Sequence, residues 1–357
     1  MKKRLSSWLI SKYPTDAKME YAKFSLIVPA FNEEKIISKK LDNCMSLDYD
    51  KSKYEILVID DYSSDKTASI ASRYAGKHKI IKLIKNQLPK GKVGCVNTAL
   101  KFAKNEYIAI TDADVILEKN ILKKSIIHIS KKNIGAICGI QKLVAKKKNS
   151  AFSVEDAYRK IYTKLRLFES WIDSAPVFHG QFMVVKKSII KKLPAFYDDT
   201  DIAIKIRKLG YKTKYVKECV FYEESLNSLK DLRSQKDRRG TGLILVLLNN
   251  KEVLFNPKYG IYGLLVYPFE FGLYVIQPLL FAAALAGIFF ALLLKSYKYG
   301  LIYILSLAFL YFIVPFLRSY AVGNLSLISS LWNIIFNTKK AKDIYTNCNW
   351  SSNRVNT

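Results

Sequence analysis

Histidine is scarce in this 357-residue chain: His78, His128 and His179 are the full set, and they offer no convincing metal cluster. Cysteine is little better represented. The five cysteines (44, 95, 138, 219, 348) are scattered and odd in number, and no C-x-x-C spacing occurs. That excludes a cysteine-built zinc site and a disulfide framework, and fits reduced thiols in the cytosol. The pattern G-x-x-x-x-G-K-[ST] is absent, so "GKVG" (Gly91 to Gly94) is no phosphate loop of an ATPase. The start, "MKKRLSSWLISKYPTD", lacks an apolar stretch long enough for a secretory signal, although Trp8, Leu9 and Ile10 suit contact with a membrane surface. Acidic residues are outnumbered, 30 against 58 Lys and Arg, for a formal charge of +28. The lysine pairs (39/40, 123/124, 131/132, 186/187, 191/192) are spread along the chain instead of forming one stripe. This argues against nucleic acid and for anionic lipid or plain solubility.

Charge itself is missing from two stretches, Phe271 to Leu294 and Tyr299 to Leu317. A membrane-spanning helix needs about 20 apolar residues. Both runs qualify, the second narrowly, and "KSYK" (Lys295 to Lys298) joins them by a tight turn. The sequence thus predicts a transmembrane helical hairpin over 269–318. Arg238, Arg239, Lys251 and Lys258 precede it, and Arg318, Lys339, Lys340 and Lys342 follow it. Counting basic residues near the spans places the large domain in the cytosol, with the chain held in the cell membrane by two helices. The implied organisation is a 1–21 segment, a 22–225 catalytic domain, 226–268 interface helices, the hairpin, and a 319–357 cytosolic tail.

In the charged part, apolar runs alternate with helical patterns. "FSLIVPA", "YEILVID", "KIIKLI" and "EYIAITDAD" read as strands. "NEEKIISKKLDNCMSL" reads as a helix capped by Asn32, with Glu33 and Glu34 in its first turn. "SSDKTASIASRYAG", "KVGCVNTALKFAK" and "DDTDIAIKIRKLG" read as further helices, the last with Ile202, Ile206 and Leu209 on one face. Such alternation predicts an α/β fold with a largely parallel sheet, whose ligands bind at the carboxyl ends of strands. Asp60, Asp61, Asp112 and Asp114 all fall there. If strand geometry holds through "TDAD", Asp112 and Asp114 share one face, where like charges repel unless a cation lies between them. Taken alone, the triplet is equally ordinary turn chemistry.

Several stretches together resemble the membrane-bound inverting glycosyltransferases of family 2. "VPAFNEE" (Val28 to Glu34) and "VIDDYSSDKT" (Val58 to Thr67) look like the first two loops of a nucleotide pocket. "GKVGCVN" is similar to a K-A-G-x-x-N stretch, "TDAD" to the D-x-D, and "YDDTD" (Tyr197 to Asp201) to an E-D-x-D. "QKDRRG" (Gln235 to Gly240) resembles Q-x-x-R-W, and "NWSSNR" (Asn349 to Arg354) a W-x-x-x-R tail. The resemblance implies a GT-A, Rossmann-like mixed sheet flanked by helices. It implies donor contacts at Pro29, Ala30, Asn32, Glu33, Asp60, Asp61, Lys92, Asp112, Gln235, Arg238 and Arg239, and Mg²⁺ or Mn²⁺ held at Asp112 and Asp114. Asp199 is the implied general base, with Asp198 as the alternative, and His179 and Gly180 lie on the acceptor side.

The expected reaction moves a hexose from a UDP- or GDP-sugar to a lipid-linked or membrane-proximal glycan. Partners are then a nucleotide-sugar, that acceptor and membrane lipid; the sequence does not set the oligomeric state. Two alternatives stand beside it: a processive β-polysaccharide synthase, and a non-catalytic scaffold that keeps the fold. Arg239 occupies the place of the family's tryptophan, which weighs against processivity.

Overall fold

The computed structural model describes residues 22–145, 150–191, 198–225 and 229–337. The N-terminal segment, Tyr197, Lys339, Lys340, Lys342, Cys348 and the 349–354 tail motif lie outside the described residues. The chain divides into two compact units, Met1–Lys142 with Phe178–Tyr222, and Leu143–Val177 with Glu223–Thr357.

The first unit is built on strands that are apolar along their length. In β1 (Phe24–Ala30), β2 (Tyr54–Asp60) and β4 (Tyr107–Thr111) every residue is buried. That is the signature of strands covered on both faces. With β3 (Ile81–Lys85), β5 (Val115–Leu117), β6 (Ile134–Val144), β7 (Phe182–Lys186) and β8 (Lys212–Glu224) they form one sheet, in the order β3-β2-β1-β4-β7-β6-β8-β5. β1 runs parallel to β2 and β4, and β3 parallel to β2, whereas β7 is antiparallel to both β4 and β6. The sheet is therefore mixed. Helices α1 (Ile37–Met45), α2 (Thr67–Lys77), α3 (Lys92–Phe102) and α4 (Ile121–Ile129) connect its strands. The core gathers Phe24, Leu26, Val28, Ile37, Leu41, Ile56, Val58, Ile121, Phe182 and Phe221, each fully buried or nearly so.

The second unit is helical. It comprises α5 (Ser150–Ile172), α7 (Leu229–Asn249), α8 (Tyr262–Lys295), α9 (Tyr297–Ile313) and α10 (Pro315–Phe336); α6 (Asp199–Lys208) belongs to the first unit. Two single π-helical turns, Tyr262–Val266 and Gly272–Ile276, interrupt α8. At its head Arg166 of α5 is 1% exposed and contacts Glu169 and Glu270, each at 2.7 Å. Its Nη2 also donates to the Tyr274 hydroxyl at 2.9 Å.

Four sequence expectations change. The strand at "YIAITDAD" stops at Thr111, so Asp112 to Asp114 form a turn between β4 and β5. Asn32 caps no helix: α1 starts five residues later, with Ile36 at its N-cap. Asn32 adopts φ +53, which asparagine tolerates better than most residues, and Glu33 and Glu34 lie ahead of the first turn. Leu209 leaves the face of Ile202 and Ile206; it ends α6 with 44% of its surface exposed, and Gly210 follows at φ +90. Finally, among the described residues α8 alone is long and apolar enough to cross a membrane, with a mean hydropathy of 2.2. The turn at Lys295 to Lys298 forms, but the second uncharged run is broken at Val314–Pro315, because a proline cannot continue the preceding helix.

Candidate active site

The first two motif loops are zipped together by local hydrogen bonds. The backbone N–H of Asn32 donates to Ser63 Oγ at 3.0 Å, and Asn32 Oδ1 accepts from the Ser64 N–H at 2.8 Å. Glu33 N–H donates to Thr67 Oγ1 at 2.7 Å, and Glu34 N–H to Asp65 Oδ2 at 3.1 Å. These bonds hold "FNEE" against "SSDKT" beyond the paired ends of β1 and β2, where Ala30 faces Asp60 in register. Pro29 and Ala30 close β1. The Asp60 carboxylate, 7% exposed, keeps its Oδ1 buried without a hydrogen-bond partner among the described residues. A buried polar atom left in that state invites a ligand donor.

Asp61 is spent on architecture. It is fully buried, accepting from Asn86 Nδ2 and from the Gly91 N–H, both at 2.7 Å. Gly91 stands at φ +129, a conformation that glycine alone adopts cheaply, and it opens α3. Gly94 is required for a different reason: a Cβ there would lie 2.0 Å from the Pro89 carbonyl oxygen. The loop between β3 and α3 is thus pressed onto the helix, whose first residue is Lys92.

Lys92 organises the site. Its Nζ lies 2.7 Å from Asp112 Oδ1 and 3.3 Å from Asp199 Oδ2, and it donates to the Gly180 carbonyl at 2.6 Å. Burial works against its charge, but Asp112 and Asp199 outweigh it and hold the amine above the usual lysine range. Asp199 opens α6. Burial raises its carboxyl above the usual carboxylate range and Asp112 adds to the rise, while Lys92 pulls it back. Asp198 is the N-cap of the same helix, accepting from the Asp201 N–H at 2.8 Å. Burial pushes Asp198 up to about 7, against the pull of that N–H. Gly180 leaves room for the Asp199 carboxylate, since a Cβ there would sit 1.5 Å from Oδ2. His179, half-buried, accepts from Cys138 Sγ through its carbonyl at 3.3 Å, and its ring meets Tyr215 edge-on at 6.1 Å.

Sequence reasoning therefore points to residues that the fold gathers: Asp61, Lys92, Asp112, Gly180 and Asp199 form one connected set, with Asp114 two residues from Asp112 in the same turn. Gln235, Arg238 and Arg239 stand on α7 of the second unit, Gln235 half-buried and both arginines exposed. Sequence reasoning missed Lys40, which counted only as surface charge. It is fully buried on α1 and bonds to Thr111 and Val115, on either side of the D-x-D. The signal was its position, three residues after Ile37 and four before Cys44, on the apolar face of the helix.

Two carboxylates in one turn make a hard, all-oxygen donor set of the kind that suits Mg²⁺ or Mn²⁺. Among the described residues no group of three or more His, Cys, Asp or Glu side chains converges as metal ligands. A cation at this turn would thus complete its shell with oxygens from elsewhere, as Mg²⁺ does with substrate phosphates.

Residues 25–194 match the family described as Glycosyl transferase family 2. The probable glycosyltransferase YdaM of Bacillus subtilis is 26% identical over 261 residues, 67% of this chain and 59% of that protein. The beta-monoglucosyldiacylglycerol synthase of Trichormus variabilis is 26% identical over 238 residues, 61% of this chain and 48% of that protein. The matched stretch thus spans about half the length of these relatives. Among solved structures, the mannosyltransferase PcManGT of Pyrobaculum calidifontis, in complex with GDP-Man and Mn²⁺, aligns with a TM-score of 0.76 at 24% identity. The alignment covers 94% of this chain and 93% of that one, so the two share a fold. Residues 25–194 thus form a glycosyl transferase family 2 domain, and the chain has a GT-A-like fold.

Proposed function

We propose that the chain is an inverting glycosyltransferase that moves a hexose from a UDP- or GDP-sugar to a lipid-linked or membrane-proximal acceptor. One observation carries this reading: Lys92 joins Asp112, from the β4–β5 turn, to Asp199, at the start of α6. A candidate phosphate-side carboxylate and a candidate base share a single cluster.

Asp199 accepts the proton of the attacking acceptor hydroxyl. Its position supports it over Asp198, whose Oδ1 is occupied in capping α6, while Asp199 Oδ2 faces Lys92. A carboxyl lifted by burial is a better base than an exposed one. Attack from the side opposite the departing diphosphate inverts the anomeric centre. Asp112 and Asp114 would hold Mg²⁺ or Mn²⁺, which supplies charge neutralisation for the leaving diphosphate. Lys92 brings a second positive charge and keeps Asp112 and Asp199 in register. Asp60 offers a buried acceptor to the nucleoside, and Asp61 supports the loop that carries Lys92. Pro29, Ala30, Asn32 and Glu33 form the donor-side rim; His179 and Gly180 border the acceptor. The apolar α8 anchors the chain to the cell membrane, with the catalytic domain in the cytosol. A lipid acceptor agrees with this anchor and with the lipid product named for the Trichormus relative.

A panel of UDP- and GDP-sugars, assayed for nucleoside diphosphate release with Mn²⁺, Mg²⁺ or chelator, tests the proposal. Release that needs the metal and disappears in Asp114→Asn is expected. Full turnover in chelator would refute the metal assignment.

A further inference from the structure

Lys40 has no part in the chemistry above, yet it is 0% exposed. Lysine is almost never fully buried unless paired, because an ammonium without compensation is costly in the interior. Both acceptors of Lys40 are neutral oxygens. Its Nζ donates to Thr111 Oγ1 at 2.8 Å and to the Val115 carbonyl at 2.9 Å. Thr111 is the last residue of β4 and Val115 the first of β5, so the two bonds span the turn that holds Asp112 and Asp114.

The bracing extends further. The Thr111 hydroxyl donates onward to the Gln181 carbonyl at 3.1 Å, and that same carbonyl accepts the Asp112 N–H at 3.3 Å. One helical turn beyond Lys40, Asn43 bonds Leu117 twice: Nδ2 to the carbonyl at 2.9 Å, and Oδ1 from the N–H at 2.8 Å. α1 therefore grips both ends of the β4–turn–β5 segment through residues three apart on one face. Burial pulls the Lys40 amine below the usual lysine range, and Cys44, Asp114 and Asp112 oppose that pull.

We propose that Lys40 is a positioning residue for the D-x-D turn: it ties Thr111 to Val115 from the buried side, and the affinity of Asp112 and Asp114 for a divalent cation depends on that tie. The inference rests on the metal reading above and extends it to a residue outside the cation's own ligands. Partners that orient metal ligands from behind are worth about 10–100-fold in metal affinity.

The test is Mn²⁺ binding to the full-length protein, followed by electron paramagnetic resonance with UDP and, separately, with GDP, and without turnover. Wild type, Lys40→Met, Thr111→Val and Asp114→Asn are compared, and the thermal midpoint of each is recorded. Lys40→Met keeps the length of the side chain and removes the tie; a roughly tenfold or greater weakening of Mn²⁺ binding is expected. Should Lys40→Met fail to fold, Thr111→Val decides, because it keeps shape and loses the hydroxyl; a weakening in the same direction is expected. A residue that only holds the fold would lower the thermal midpoint and leave Mn²⁺ affinity at the wild-type value. That result in a folded variant overturns the proposal. Wild-type Mn²⁺ binding no tighter than that of Asp114→Asn overturns the metal reading and this proposal together, which separates the two failures.

Discussion

Each unit of the chain sets one cation against two carboxylates, and the two clusters behave differently. In the first, Lys92 faces Asp112 and Asp199, and the three side chains retain 19–20% of their surface. In the second, Arg166 faces Glu169 and Glu270, and none of the three exceeds 3%. The formal stoichiometry is the same, one positive and two negative. The difference is access. A sealed surplus of negative charge is shielded from solvent: burial drives Glu169 well above the usual carboxylate range, Arg166 opposes, and Glu270 adds to the rise. An open surplus can be answered by something that arrives. The first arrangement suits a site, and the second suits a clamp between α5 and the head of α8.

The largest expected effect breaks the sealed cluster. Arg166→Met leaves Glu169 and Glu270 without their cation, and removing one partner of a buried pair costs about 3–5 kcal/mol. Chemical denaturation in detergent should show that loss, and a loss below ~1 kcal/mol would mean the clamp is not a clamp. The open cluster should respond in activity instead of stability. Gly180→Ala forces the Asp199 carboxylate aside, and misplacing a reacting group by about 1 Å costs on the order of 10²-fold in turnover. Thermal midpoints should stay near wild type while nucleotide release falls.

These two variants also show what was legible in the sequence. "FSLIVPA", "YEILVID" and "EYIAI" are recognisable as strands because burial on both faces demands unbroken apolar runs. The carboxyl-end carboxylates follow from that alternation. β5, three residues long, and β6, at "IGAICGIQKLV", gave no comparable pattern to separate them from loops. Lys40 was hidden for another reason: lysine at the surface is the rule, and only its place on the apolar face of α1 argues otherwise. The sealed cluster was hidden because Glu270 comes from about a hundred residues beyond Arg166, and no local spacing connects them.

A smaller effect is expected at the support of the open cluster. Gly94→Ala drives a methyl into the Pro89 carbonyl, and such overpacking costs about 1–3 kcal/mol. Thermal unfolding of the variant should show it, with Lys92 and its activity displaced as a consequence. The smallest effect sharpens the contrast most. Glu169→Gln keeps the shape of a carboxyl that burial holds well above the usual carboxylate range, so its cost should be under ~1 kcal/mol. The pH dependence fixes the sign. The native state holds the Glu169 proton above the pH at which the unfolded chain releases it, so wild-type stability falls as pH rises from the unfolded carboxylate range towards the raised native value. Glu169→Gln should flatten that fall. A variant whose stability keeps the wild-type slope would mean that Glu169 is not the source of that pH dependence.

The most direct test of the account is the rate of nucleoside diphosphate release in the presence of acceptor, compared between wild type and Asp199→Asn. A loss of about 10²–10⁴-fold with donor binding retained is expected, as when a general base is removed. Equal rates in the two proteins would contradict it.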